Sequence, residues 1–156
     1  MKDSIEQKWV MICKYMNEFD EEYHKLASYY KLSDSSFWIL YELYQNKNGC
    51  TQKELYTDWY LNKQTINSSV KYLINKKYIM VEYLDNNKKS KRLKLTNKGK
   101  KMAKNTVGRV MRLETKVFKD IDENEMDRVI NFFRKQTILF KGEVSKVIKR
   151  EEDKDE

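Results

Sequence analysis

The chain has 156 residues, of which 36% are charged and 40% hydrophobic, and it carries a net charge of +8. That balance fits one folded, soluble domain and excludes a disordered chain. No apolar run approaches the roughly 20 residues that cross a bilayer, and the start lacks the apolar core of a signal peptide, so the expected location is cytoplasmic.

Proline is absent and glycine occurs four times, which favours long, uninterrupted helices. The two cysteines, Cys13 and Cys50, fit no metal-ligand spacing. His24 is the single histidine. Neither a GxGxxG nor a P-loop sequence is present. No nucleophile–base pair or metal cluster emerges, so the expectation is a non-enzyme with no cofactor and no metal.

Residues 4–30 place Ile5, Trp9, Ile12, Cys13, Met16, Phe19, Tyr23, Leu26, Ala27 and Tyr30 at steps of three and four. This spacing keeps them on one helical face. The helix is longer than a small domain needs for its own core, so part of the stripe is expected to pack against something else. A second helix starts after Leu32, capped by Ser33 or Asp34, and breaks between Asn46 and Gly49.

Thr51 caps a short third helix, and Glu54 completes a capping box. Leu55 is its core residue, with Trp59 and Leu61 closing the turn that follows. Asn62 caps a fourth helix running to about Lys77, with Ile66, Val70, Leu73 and Ile74 on its apolar face. Its other face carries Lys63, Gln64, Thr65, Asn67, Ser68 and Lys71. Short polar and basic groups near the N-terminal half suit a helix that meets base edges in the major groove.

Two strands are predicted at Ile79–Leu84 and Arg92–Thr96. The loop between them carries Lys88, Lys89 and Lys91. Helical spacing returns from Asn97 to about Asp120. A last helix, capped by Asp122, carries Met126, Val129, Ile130, Phe133, Phe140, Val144, Val147 and Ile148 on one face. The organisation expected is a single domain over 1–150, followed by a charged tail over 151–156. A winged-helix lobe at 33–96 sits between dimerisation helices at 1–32 and 97–150. The fold class is mainly α with a small two-stranded β-wing.

The charge is concentrated. Residues 71–104 hold 12 basic and 2 acidic side chains, while residues 1–70 carry a net −2 and residues 105–156 none. A local basic surface is the footprint of a phosphate backbone. An anionic membrane would prefer a continuous amphipathic basic helix, which this segment lacks.

The order helix, helix, helix-turn-helix, wing, helix, helix resembles the MarR family of transcriptional regulators. The resemblance rests on Leu32-Ser33-Asp34-Ser35-Ser36-Phe37-Trp38-Ile39-Leu40, Cys50-Thr51-Gln52-Lys53-Glu54-Leu55, Lys63-Gln64-Thr65-Ile66-Asn67-Ser68 and Leu95-Thr96-Asn97-Lys98-Gly99. It implies a homodimeric, sequence-specific DNA-binding regulator that acts as a repressor on an inverted-repeat operator and is released by a small-molecule effector. The DNA contacts would be Lys63, Gln64, Thr65, Asn67, Ser68 and Lys71 on the helix. Lys88, Lys89, Lys91 and Arg92 would contact DNA from the wing. Where the family wing carries Asp-Arg-Arg, this chain has Asn87, Lys88 and Lys89. A lysine lacks the planar fork of arginine, so weaker wing readout is expected.

The resemblance also implies an effector pocket, for which Trp9, Met16, His24, Trp38 and Tyr41 are candidates; the alternative is ordinary core packing. Some relatives sense peroxides through a first-helix cysteine, a role open to Cys13 beside Tyr29 and Tyr30. A thiol on an apolar face also packs inertly. The alternative function is a winged-helix module that binds RNA or protein.

Overall fold

The computed structural model describes residues 4–58, 62–83 and 91–152. It divides into two units, residues 1–113 and 114–156.

Helix α1 (Ile5–Tyr29) opens with a reciprocal cap. The Gln7 N–H donates to Ser4 Oγ at 3.3 Å, and the Ser4 N–H donates to Gln7 Oε1 at 2.8 Å. This satisfies two backbone donors that the first turn leaves without partners. Only the far end of α1 joins the core: Ala27 is buried, and Tyr23, Leu26 and Tyr30 pack beside it. Val10, Met11, Tyr15, Met16 and Phe19 remain exposed. Lys31 adopts φ 58°, and the Leu32 N–H reaches back to the Ala27 carbonyl at 3.0 Å. That backward bond closes the helix by a left-handed residue, here without the usual glycine.

Helix α2 (Asp34–Gln45) is capped by Ser33, whose side chain accepts from the Ser36 N–H. It is the central element of the first unit, with Phe37, Ile39 and Leu40 fully buried. Helices α3 (Gln52–Asp58) and α4 (Lys63–Asn75) follow. Trp59 and Leu61, expected to close the turn between them, lie outside the described residues. Ile66, Val70 and Leu73 of α4 face inward, and Ser69 meets Ser35 of α2 at 2.6 Å between hydroxyl oxygens. Lys77, at φ 59°, repeats the closure seen at Lys31, with the Tyr78 N–H donating to the Leu73 carbonyl at 2.9 Å.

Strands β1 (Ile79–Tyr83) and β2 (Lys91–Leu95) pair antiparallel, with Ile79 opposite Leu95 and Tyr83 opposite Lys91. Cys50 adds a bridge to Leu93 through two backbone bonds of 3.2 and 2.7 Å. This anchors the wing root to the segment that precedes α3. Thr96 then caps α5 (Asn97–Asn105): its hydroxyl accepts from the Gly99 N–H at 3.0 Å and donates to the Lys77 carbonyl at 2.6 Å.

The single helix expected from Asn97 to about Asp120 is two helices, α5 and α6 (Val107–Phe118). The break falls at Thr106, where φ is −117° and ψ −93°. Its N–H turns to the Ala103 carbonyl at 3.2 Å, and its hydroxyl takes the Met102 carbonyl at 3.0 Å. A threonine hydroxyl can thus replace a helical backbone donor and let the chain turn. Gly108 lies against the Tyr44 ring, where a Cβ would be 2.9 Å from ring and hydroxyl atoms.

The second unit holds the end of α6 and helix α7 (Glu123–Glu152). Asp122 caps α7, accepting from the N–H groups of Asn124 and Glu125 at 3.0 and 3.2 Å. Val129, Ile130, Leu139, Phe140, Val147 and Ile148 are exposed along it. Among the described residues, no helix is long and apolar enough to cross a membrane.

Candidate nucleic-acid interface

Asn62 builds the N-terminal end of α4. Its Oδ1 accepts from the Gln64 and Thr65 N–H groups at 2.8 and 3.4 Å. The cap fixes where the helix begins and therefore which residues share its outer face. Lys63, Gln64, Thr65, Asn67, Ser68 and Lys71 are all exposed, while Ile66 and Val70 between them are buried. One helix thus presents the six side chains expected from the sequence to solvent and seats its other face on the core.

The six do not have equal freedom. The Ser68 hydroxyl donates to the Thr65 carbonyl at 2.8 Å. The Lys63 ammonium lies 5.9 Å from the centroid of the Tyr56 ring, within reach of a cation–π attraction. The Asn67 Oδ1 accepts from Gln52 Nε2 at 3.3 Å. Gln52, at the start of α3, is not among the contact residues that the sequence singles out. Its one cue there is the capping position of Thr51, since nothing in one-dimensional spacing links residues 15 apart on different helices.

On the wing, Lys91 is exposed, with its ammonium 5.5 Å from the Tyr83 ring centroid. Lys88 and Lys89 lie outside the described residues. Arg92 turns toward α3 and meets Glu54 Oε1 at 3.5 Å. Glu54 also accepts from the Thr51 N–H at 2.6 Å, and its own N–H donates to Thr51 Oγ1 at 3.1 Å. Arg92 is therefore a strut between wing root and helix-turn-helix. Across the strand pair, Lys94 meets Glu82 at 2.7 Å.

The Thr51 backbone N–H first, then the Thr51 side chain and last the nearby Arg92 guanidinium hold the Glu54 carboxyl below its ordinary value, against the opposing effect of burial. A carboxyl with a lowered folded-state pKa stabilises the fold at neutral pH. That contribution fades as pH falls through the carboxylate range. Glu54→Gln is expected to lower the thermal midpoint near neutrality, and the gap to the parent protein should narrow steadily in acid, as pH falls below the ordinary carboxylate range. A gap that stays constant between those conditions, measured by melting curves, would show that the carboxylate charge plays no part.

The candidate effector residues separate in space. His24 and Trp38 border one small cleft of about 230 Å³, together with Asp20, Tyr23, Asp34 and Phe37. His24 Nδ1 lies 3.0 Å from both carboxylate oxygens of Asp34, tying α1 to α2. Tyr41 is buried and packs edge-on to Trp38 at 5.4 Å between centroids. Trp9 and Met16 are exposed on α1 and do not line this cleft. Their distance along the helix explains this: at ~1.5 Å per residue, Trp9 stands roughly 20 Å from His24. Cys13 is half-buried on α1 and Cys50 is buried. Among the described residues, no group of three or more His, Cys, Asp or Glu side chains could hold a metal ion.

Residues 30–84, which span α2 to β1, match the family model described as the MarR family. A MarR family regulator from Neisseria meningitidis superposes with a TM-score of 0.76 at 21% identity, over 89% of this chain and 97% of that one. MepR of S. aureus, solved in complex with DNA, gives 0.67 at 17% identity, over 88% and 96%. Staphylococcus aureus MarR, solved with salicylate and kanamycin, gives 0.64 at 21% identity, over 87% and 92%. No curated protein matches the chain. The fold is the winged helix of these regulators: among the described residues it is mostly helical, with a two-stranded antiparallel sheet.

Proposed function

We propose, from the match of residues 30–84 to the MarR family model and from the shared fold, that the chain is a MarR-type regulator: a homodimeric, sequence-specific DNA-binding repressor in the cytoplasm. The observation that carries this reading is the capped α4 helix. It exposes Lys63, Gln64, Thr65, Asn67 and Lys71 on one face and buries Ile66, Val70 and Leu73 on the other. Each protomer would set α4 in a major groove, with successive grooves about 34 Å apart, so the operator is an inverted repeat. Gln64 and Asn67 are the base readers, since side-chain amides pair with adenine in the major groove.

Dimerisation is supported by the apolar side chains left exposed on α1 and α7. Exposed surface of that kind marks an interaction site, and a second copy buries both stripes with two-fold symmetry. The repressor assignment needs nothing beyond occupancy of a promoter. Release by an effector is supported by the His24–Trp38 cleft, whose walls come from both α1 and α2. A ligand wedged there would shift the helix that dimerises against the helix that supports α4.

The concentration of charge in residues 71–104 also supports a second reading, a winged-helix module that grips RNA or an acidic protein. The two readings differ in how binding depends on salt and sequence. Fluorescence anisotropy of the full chain on labelled duplex DNA should show affinity falling linearly on a log–log plot against salt. Lys71→Ala and Lys91→Ala should each reduce that slope by about one unit and weaken all duplexes alike. A slope untouched by either change would remove both lysines from the phosphate contacts. Tighter binding to RNA hairpins than to any duplex DNA would favour the module.

A further inference from the structure

We propose that Arg92 and Glu54 are a positioning pair: they fix the angle of the wing against the helix-turn-helix, and so fix which base pairs beside the α4 footprint the wing can read. On the DNA-binding reading, from which this follows, Arg92 acts through the wing and touches no phosphate.

Toward α3 the wing has a narrow attachment. Strand β2 lies between β1 on one edge and Cys50 on the other. The β1 edge is a ladder running from Ile79–Leu95 to Tyr83–Lys91. The other edge is a bridge at one residue, Cys50 to Leu93, made of two backbone bonds. Such a bridge is an axis about which the strand pair can rock, and a two-stranded hairpin has little stiffness of its own.

Arg92 supplies the second point of attachment. It stands one residue beyond Leu93 toward the tip of the wing, and its guanidinium meets Glu54 Oε1 at 3.5 Å. Nearness within the sheet does not choose this partner. Glu82 lies directly opposite Arg92 in the strand register, yet its carboxylate goes to Lys94 at 2.7 Å. That leaves Arg92 for α3. Glu54 divides its two oxygens: Oε2 accepts from the Thr51 N–H at 2.6 Å, and Oε1 faces Arg92. The carboxylate that caps α3 therefore also holds the wing, and α3 packs on α4. Lys91, one residue on, is exposed and open to a phosphate. The Arg92 side chain is only 27% exposed and already engaged.

The test uses the full chain, an operator selected by the parent, and two variants that remove one charge each, Arg92→Gln and Glu54→Gln. Glutamine at position 54 keeps an amide oxygen for the Thr51 cap. Competition anisotropy against operators mutated at single base pairs is run over a range of salt, at a temperature where circular dichroism shows both variants folded. Both are expected to lose about fivefold of the parent's preference at base pairs flanking the α4 footprint. Preference inside the footprint and the salt slope should not change. The double variant should lose no more than either single one, since the two residues act as a unit. Arg92→Lys, which keeps the charge, should restore most of the flanking preference. A phosphate contact predicts the opposite pattern. Arg92→Gln would then lower the salt slope by about one unit, and Glu54→Gln, by releasing Arg92, would tighten binding to every duplex. Either result overturns the proposal, as does an unchanged flanking preference in both variants or losses that add in the double variant. A parent chain that selects no operator would instead sink the DNA-binding reading, and the positioning role with it.

Discussion

The double variant Gln64→Ala/Asn67→Ala is expected to bind a selected operator and a random duplex with nearly equal affinity. Both side chains are exposed on α4, and Asn62 fixes the turn from which they project. A good bidentate amide–adenine contact contributes about 1–3 kcal/mol of discrimination. Losing two such contacts should narrow the ratio of specific to non-specific affinity by roughly 30-fold or more. The salt slope should not change, because neither side chain is charged. Gln52→Ala is an informative companion. It removes the donor that engages Asn67 Oδ1, so it should erode preference only at the base pair read by Asn67. Competition anisotropy with point-mutated operators measures all three effects. If the double variant keeps the parent's preference, α4 is not the reading element.

Gly99→Ala is expected to destabilise the fold strongly, by about 3 kcal/mol or more. A Cβ at Gly99 would run into the Tyr78 carbonyl oxygen, which is backbone and cannot rotate away. The same carbonyl accepts from the Thr96 N–H and hydroxyl at 3.0 and 3.2 Å. Moving it would disturb the α5 cap as well as the wing root. Gly142→Ala on α7 is the control, since a Cβ there meets nothing within 4 Å. Relieved of glycine's backbone entropy, that variant should gain roughly 0.5–1 kcal/mol. Urea unfolding monitored by far-UV circular dichroism compares the two. Equal effects at both positions would mean that α5 does not approach Tyr78 so closely.

The elements legible in the sequence are those specified by local chemistry. Ser33, Thr51, Asn62 and Asp122 announce helix starts because a short polar side chain is the nearest partner for a free N–H, and each is found capping. The apolar steps of α1, α4 and α7 mark their inner or unpartnered faces directly. The first strand starts at Ile79 as expected and the second is shifted by one residue, to Lys91–Leu95, while the expected end of the first at Leu84 lies outside the described residues.

What the sequence leaves hidden depends on residues far apart in the chain. The apolar spacing of 97–118 runs through Thr106 without a gap, so only the hydroxyl's choice of the Met102 carbonyl reveals the break. Arg92 reads as one more wing cation until its contact with Glu54, 38 positions earlier, shows it bracing the motif. Asp34 reads as a cap but instead holds His24.

The most direct test of the central claim is selection of bound sequences from a pool of random duplex DNA by the full chain at moderate salt. The account predicts recovery of an inverted repeat whose half-sites are centred about one helical turn apart, and loss of that consensus with Gln64→Ala/Asn67→Ala. Recovery of unselected DNA, with binding that vanishes as salt rises, would contradict it and leave the basic segment as a grip on phosphates alone.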